Sequence, residues 1–110
     1  MIAKSFGELM RDANKAREHW LQTRRVGVAE YIPSNNTIRL HVYENNFYEI
    51  DLDRVKTAGQ FTEVMFDLTD KNWANGQVLC DFIECLRHTF HEKYGKDPRV
   101  VFDCGGEASV

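Results

Sequence analysis

The sequence is poor in the residues that punctuate or cross-link a chain: two prolines and three cysteines occur among 110 residues. An odd, small set of cysteines is a weak disulfide framework and implies free thiols in a reducing, cytoplasmic setting. No apolar run approaches the ~18 residues that span a bilayer, so no membrane partner is expected. The opening Met-Ile-Ala-Lys-Ser-Phe-Gly-Glu lacks the charged-then-apolar order of a secretory signal. Also missing are both glycine-rich phosphate loops, and neither Ser34 nor Ser109 has a nucleophile-elbow context. These absences exclude a membrane protein, a disulfide miniprotein and the common nucleotide-binding and serine-hydrolase designs. With no repeat, low-complexity tract or linker, a single domain over residues 1–104 and a tail over 105–110 are expected.

What is present is ordinary for a globular domain: 43% hydrophobic and 28% charged residues, with a net charge of −3. The charge is uneven. Residues 1–25 carry six basic and three acidic side chains, and the remainder carries eight and fourteen. A basic first helix on an acidic body is a candidate contact for an anionic partner.

Local pattern predicts α+β order. Ser5 and Glu8 form a capping box, and Phe6, Leu9, Met10, Ala13, Ala16 and Trp20 recur at spacings of three and four. A helix over 6–23 follows. Three strands are expected, Val26–Ile32, Thr37–Tyr43 and Phe47–Leu52, separated by Pro-Ser-Asn-Asn and Glu-Asn-Asn turns. Connections this short make a three-stranded antiparallel meander. Ile38, Leu40 and Val42 alternate with Thr37, Arg39, His41 and Tyr43, which are read as the outward face. Two helices come next. Thr57 and Gln60 open one with Phe61, Val64, Met65 and Leu68 at helical spacing, and Asn75 caps another with Leu79, Phe82, Ile83, Leu86 and Phe90. Both are expected on one face of the sheet. Gly95 and Pro98 are stop signals, and Arg99–Asp103 is a candidate short fourth strand.

The densest chemical constellation lies on the last of these helices. Cys80, Glu84, His88 and His91 are spaced four, four and three residues apart and share one face. Glu84, His88 and His91 are therefore candidate ligands for zinc or a similar metal, in an enzyme or sensor. One helix seldom supplies a whole site, and the His-Glu-x-x-His signature is not met, so the simpler reading is a polar face with a Glu84–His88 pair. No cofactor is expected. Cys80, near a helix start, has none of the local company of a thiol enzyme. Asp51 and Asp53 read as a strand end.

The order helix, three strands, helix resembles that of the double-stranded-RNA-binding domain, which implies basic groups opening the last helix. Thr57-Ala-Gly-Gln-Phe-Thr-Glu63 has no lysine, so the order agrees and the chemistry does not. Nucleic-acid binding through the basic N-terminal helix stays as an alternative.

What remains is recognition by aromatic and charged surfaces. Aromatic residues with arginine make typical interface anchors. Arg11, Lys15, Arg24, Arg25, His41, Tyr43 and Trp73 are the candidate partner-binding residues. Trp73 is read as a plug between two helices or as a presented anchor. An uncovered sheet face or edge strand is a candidate homodimer contact. Compact, slightly acidic and without a cofactor motif, the chain resembles in general character the short accessory proteins of phages and other mobile elements. That resemblance implies an accessory or inhibitor protein acting on a host factor. The function expected is thus a non-catalytic interaction protein, most simply one with a protein partner.

Overall fold

The computed structural model describes residues 6–102, with side chains from residue 14 onward. The first helix, α1 (Phe6–Thr23), ends where Arg24 adopts a left-handed φ of 58° and its N–H donates to the Trp20 carbonyl at 2.6 Å. A four-stranded antiparallel sheet follows in sequence order: β1 (Arg25–Val26), β2 (Ala29–Ile32), β3 (Thr37–Tyr43) and β4 (Asn46–Asp51). A single 3-10 turn, Leu52–Arg54, leads to α2 (Ala58–Thr69) and α3 (Gly76–Tyr94).

The α+β class is as expected, but the strand count differs. The predicted first strand is a hairpin. Val26 pairs with Ala29, leaving Gly27 and Val28 as a two-residue loop, and Gly27 has a φ of +55°. Glycine in the first central position is what such loops favour. The expected fourth strand is not formed. Residues 98–102 are helical: Asp97 Oδ1 accepts from the Arg99 N–H at 2.9 Å, and the Val100 and Val101 N–H groups donate to the Asp97 carbonyl. Asp97 acts as a cap and Pro98 as a first helical residue, where its missing N–H costs nothing. The stop signals were real, yet the same proline also opens the next helix. Asp103, Cys104 and the expected tail lie outside the described residues.

A bulge corrects one strand face. Leu40 pairs with Tyr48 but Tyr43 pairs with Asn46, so β3 holds one extra residue at His41–Val42. Side chains alternate along a strand, and an inserted residue reverses the pattern beyond it. Tyr43 therefore turns to the side of Tyr48 and meets Trp73, away from His41.

The core lies between the sheet and α3. Ala29, Tyr31, Ile38, Leu40 and Ile50 are buried on one sheet face, with Phe82, Cys85, Leu86 and Phe90 from α3 and Trp20 from α1. From the β4 side α2 contributes Leu68 fully, and Phe61, Val64 and Met65 in part. Asn75 caps α3 through the Val78 N–H, and Gly95 ends it at a φ of 67°.

Asp81 locks the β1–β2 hairpin to α3. Its carboxylate is buried and accepts from the Val28 N–H at 3.2 Å and from Gln77 Nε2 at 2.8 Å. A Cβ at Gly27 would stand 2.2 Å from Asp81 Oδ2. Replacing Gly27 by Ala combines that overlap with a left-handed backbone and should cost about 2 kcal/mol or more. Gly76→Ala, where a Cβ meets nothing within 4 Å, should stay within about 0.5 kcal/mol of the parent. Urea denaturation of the two variants measures the contrast.

Candidate interaction surface

The predicted contact residues are distributed over three separate places. Arg24 belongs to a clasp between α1 and α3: its guanidinium lies over the Trp20 ring at 4.7 Å and donates to Glu92 Oε1 at 2.6 Å. Arg17 completes the clasp by donating to the His88 carbonyl at 3.0 Å. Arg25 and His41 share the outward sheet face, linked by Glu30, which pairs with Arg25 in register and stands 2.8 Å from His41 Nε2. Alongside them Arg39 covers Phe47 at 4.2 Å and donates to Glu49. Tyr43 and Trp73 form the third group. Trp73 Nε1 donates to the Tyr43 hydroxyl at 3.0 Å and its ring tilts against Tyr48 at 5.4 Å. Trp73 is thus half-buried, packed against β3 and β4 and not between two helices. Lys15 is exposed on α1, and the Arg11 side chain lies outside the described ones.

The metal candidates do not converge. Glu84 pairs with Arg87 at 3.1 Å, His91 is exposed, and Cys80 is exposed. His88 instead stacks on Trp20 at 5.5 Å, with Arg17 Nη1 3.3 Å from its Nδ1. Of the helix face read as solvated, Cys80, Glu84 and His91 are exposed, and His88 alone is covered by α1. Among the described residues no three of His, Cys, Asp and Glu are placed to hold one ion. Cys104 lies outside them. Cys85 is a core residue whose thiol is pushed up to about 12 by burial, against the opposing influence of the Trp20 and Thr89 side chains. A thiol so placed stays protonated and is no nucleophile.

The surface that gathers apolar area lies elsewhere, on α2, and was not singled out from the sequence. Thr57 Oγ1 accepts from the Gln60 N–H, and Gln60 Oε1 accepts from the Lys56 N–H, one residue before the partner a capping box would use. The helix so started has two apolar sides. Leu68 faces the core, while Phe66, at 67% exposure, stands in solvent. Beside it runs a groove between α2, α3 and the helical residues 98–102. Its cavity of about 350 Å³ is lined by Ala58, Phe61, Thr62, Ile83, Leu86 and Phe102, with Arg87, Asp97 and Arg99 at the rim. A second depression, lined by Phe61, Thr62, Met65, Phe66 and Thr69, continues it along α2. Phe102 forms the floor, packed on Phe61 at 5.4 Å and Phe90 at 5.6 Å. The available signal was Phe66 itself: an aromatic outside the Phe61–Val64–Met65–Leu68 stripe of a short helix has no core to enter.

The rim is polar and internally satisfied. Hydrogen bonds from the Arg99 side chain and N–H hold the Asp97 carboxyl below its usual value, with Arg87 3.9 Å away. Apolar walls with a few charged groups at the edge suit binding, and contiguous apolar exposure on a small domain marks an interaction site. No helix among the described residues is long and apolar enough to cross a membrane. No family model, curated protein or solved structure matches the chain.

The clasp predicts a pH dependence of stability. Burial and the neighbouring Arg17 cation lower the His88 pKa from its ordinary 6.5, with Glu84 opposing. The unfolded chain then binds the proton more readily than the folded one. The contribution is complete above pH 6.5 and is lost as pH falls through the lowered folded value. Denaturation midpoints measured across this interval should fall more steeply for the parent than for His88→Phe, which keeps a ring on Trp20 and cannot titrate.

Proposed function

We propose that this protein works by binding, docking on another protein through the apolar surface of α2 and α3 and carrying out no chemistry of its own. One observation carries the reading. Phe66 is the most exposed of the large hydrophobic side chains and stands beside an apolar-lined groove, whereas the candidate polar groups are engaged with one another or scattered. Arg24 is held by Glu92, His41 by Glu30, Arg39 by Glu49, and Arg87 by Glu84. A catalytic site needs a nucleophile, base or metal set within mutual reach. The arrangement of these pairs supports affinity over turnover. An accessory or inhibitor role on a larger target belongs to the same proposal.

Nucleic-acid binding through the basic N-terminal helix is the weaker alternative, because Arg17 and Arg24 already serve the α1–α3 clasp. A metal-dependent role built on Glu84, His88 and His91 is weaker still, since each has a different neighbourhood along α3.

A photo-reactive side chain placed at Thr62, on the groove wall, tests the proposal in cells of the native host. Discrete protein adducts are expected from Thr62 and not from the exposed Lys96, which is outside the groove lining. Equal, diffuse labelling from both positions, or none from either, would refute the groove as a binding surface.

A further inference from the structure

We infer that the free edge of β4 is a second binding site, which takes an extended, basic segment of another protein as an added strand between β4 and α2.

The phase of the sheet's hydrogen bonds fixes which groups that edge offers. β4 is the last strand and pairs on one side only, with β3. The Leu52 N–H donates to the Asn36 carbonyl, one residue beyond the Thr37–Asp51 pair. Along an antiparallel strand, residues that bond to the neighbour alternate with residues whose N–H and C=O point away from it. Leu52, Ile50 and Tyr48 therefore bond toward β3. The bond from the His41 N–H to the Val28 carbonyl gives the same phase from the far side of β3, because it turns His41, Arg39 and Thr37 toward β2. Glu49 and Asp51 are left with their backbone N–H and C=O groups directed outward. Among the described residues no turn, loop or helix backbone meets them. A row of unmet donors and acceptors is a template for another strand.

α2 makes this edge one wall of a groove. Gln60, Glu63, Val64 and Asp67 stand at i, i+3, i+4 and i+7, a single stripe of the helix. They face Tyr48, Ile50 and Asp51 across a depression of about 240 Å³. The two sites share no lining residue with one exception of kind only: both use α2, this one on the side away from Phe66.

Charge selects the occupant. Four carboxylates line the depression, Glu49, Asp51, Glu63 and Asp67, against one cation, Arg54. Glu49 is held by Arg39, and Asp51 caps the 3-10 turn through the Asp53 N–H. Glu63 and Asp67 are exposed and make no ion pair among the described residues. Side chains of an added strand alternate, so every second one points to the α2 wall. A lysine or arginine there meets Glu63 or Asp67. A second copy of the chain is a poor occupant, since joining two β4 edges would set Glu49 and Asp51 beside their own like-charged copies. A nucleic acid carries the wrong charge.

A synthetic peptide, Lys-Val-Arg-Thr-Lys-Val-Arg with both ends blocked, titrated into the isotope-labelled full chain, tests the site by NMR. Saturable binding weakened by salt is expected, with slowed hydrogen exchange at the Glu49 and Asp51 amides. Glu63→Lys combined with Asp67→Lys should raise the dissociation constant at least about tenfold. Glu49→Pro removes an N–H that bonds to nothing in the free sheet, and proline is tolerated on a strand edge. It should weaken binding beyond Glu49→Ala, which deletes only the side chain. The same peptide N-methylated at its central residues keeps its charge, loses the ladder donors and should bind far more weakly. No saturable binding, or binding that leaves the Glu49 and Asp51 amides exchanging freely, overturns the inference. Equal binding of the N-methylated peptide overturns it too, because charge attraction alone would then account for the affinity.

Discussion

Trp20 is the side chain at which the first helix, the sheet and α3 meet, and the described position of α1 depends on it. Its indole is fully buried, near Tyr31 of β2 on one hand and stacked on His88 of α3 on the other. Arg17 and Arg24 place guanidinium groups over the ring at 5.4 and 4.7 Å. Burying a ring of this size removes on the order of 200 Å² from water and contributes up to about 5 kcal/mol. The two cations add a smaller increment, on the order of 1 kcal/mol each where partly desolvated. The indole N–H has no hydrogen-bond partner among the described residues and lies beside the Cys85 thiol. Apolar contact therefore carries this joint, with the clasp residues setting its direction.

A second constraint, the buried Asp81 carboxylate, ties the hairpin to the same helix. Together Trp20 and Asp81 fix α1, β1 and β2 on α3, and the sheet then follows strand by strand. By contrast α2 is fastened at its edges, through Leu68 toward the core and Phe61 toward Phe102. Its outer side is left with Thr62 and Phe66 uncommitted. Phe66 stands in solvent because the side of α2 that meets the core is taken by Leu68, Val64 and Met65.

The surface ion pairs contribute little to stability singly, because exposed pairs are worth about 0–1 kcal/mol. Their effect is to occupy groups that would otherwise be free to bind. Arg24 is the clearest instance. Its positive φ, its bond to Glu92 and its place over Trp20 make it part of the structure, although in sequence it is one of two adjacent arginines following a basic helix. His88 is another, half of an apparent ligand pair that proves to be a stacking surface.

Both long helices of the second half, their caps at Thr57 and Asn75, the stop at Gly95, and the inward alternation of Ile38 and Leu40 were legible in the residues themselves. Each depends on neighbours within a turn or a strand. Gly27 as a loop, Pro98 as a helix start and the bulge at His41–Val42 were less legible, since each local signal admits two conformations. Helix capping, strand alternation and the α+β order were determined by the sequence alone, because hydrogen bonding and side-chain period act over a few residues. Which helix face meets water was decided only by the tertiary structure. Contacts such as Arg17 with His88 and Val28 with Asp81 join residues 71 and 53 positions apart, and no local period encodes a partner at that distance.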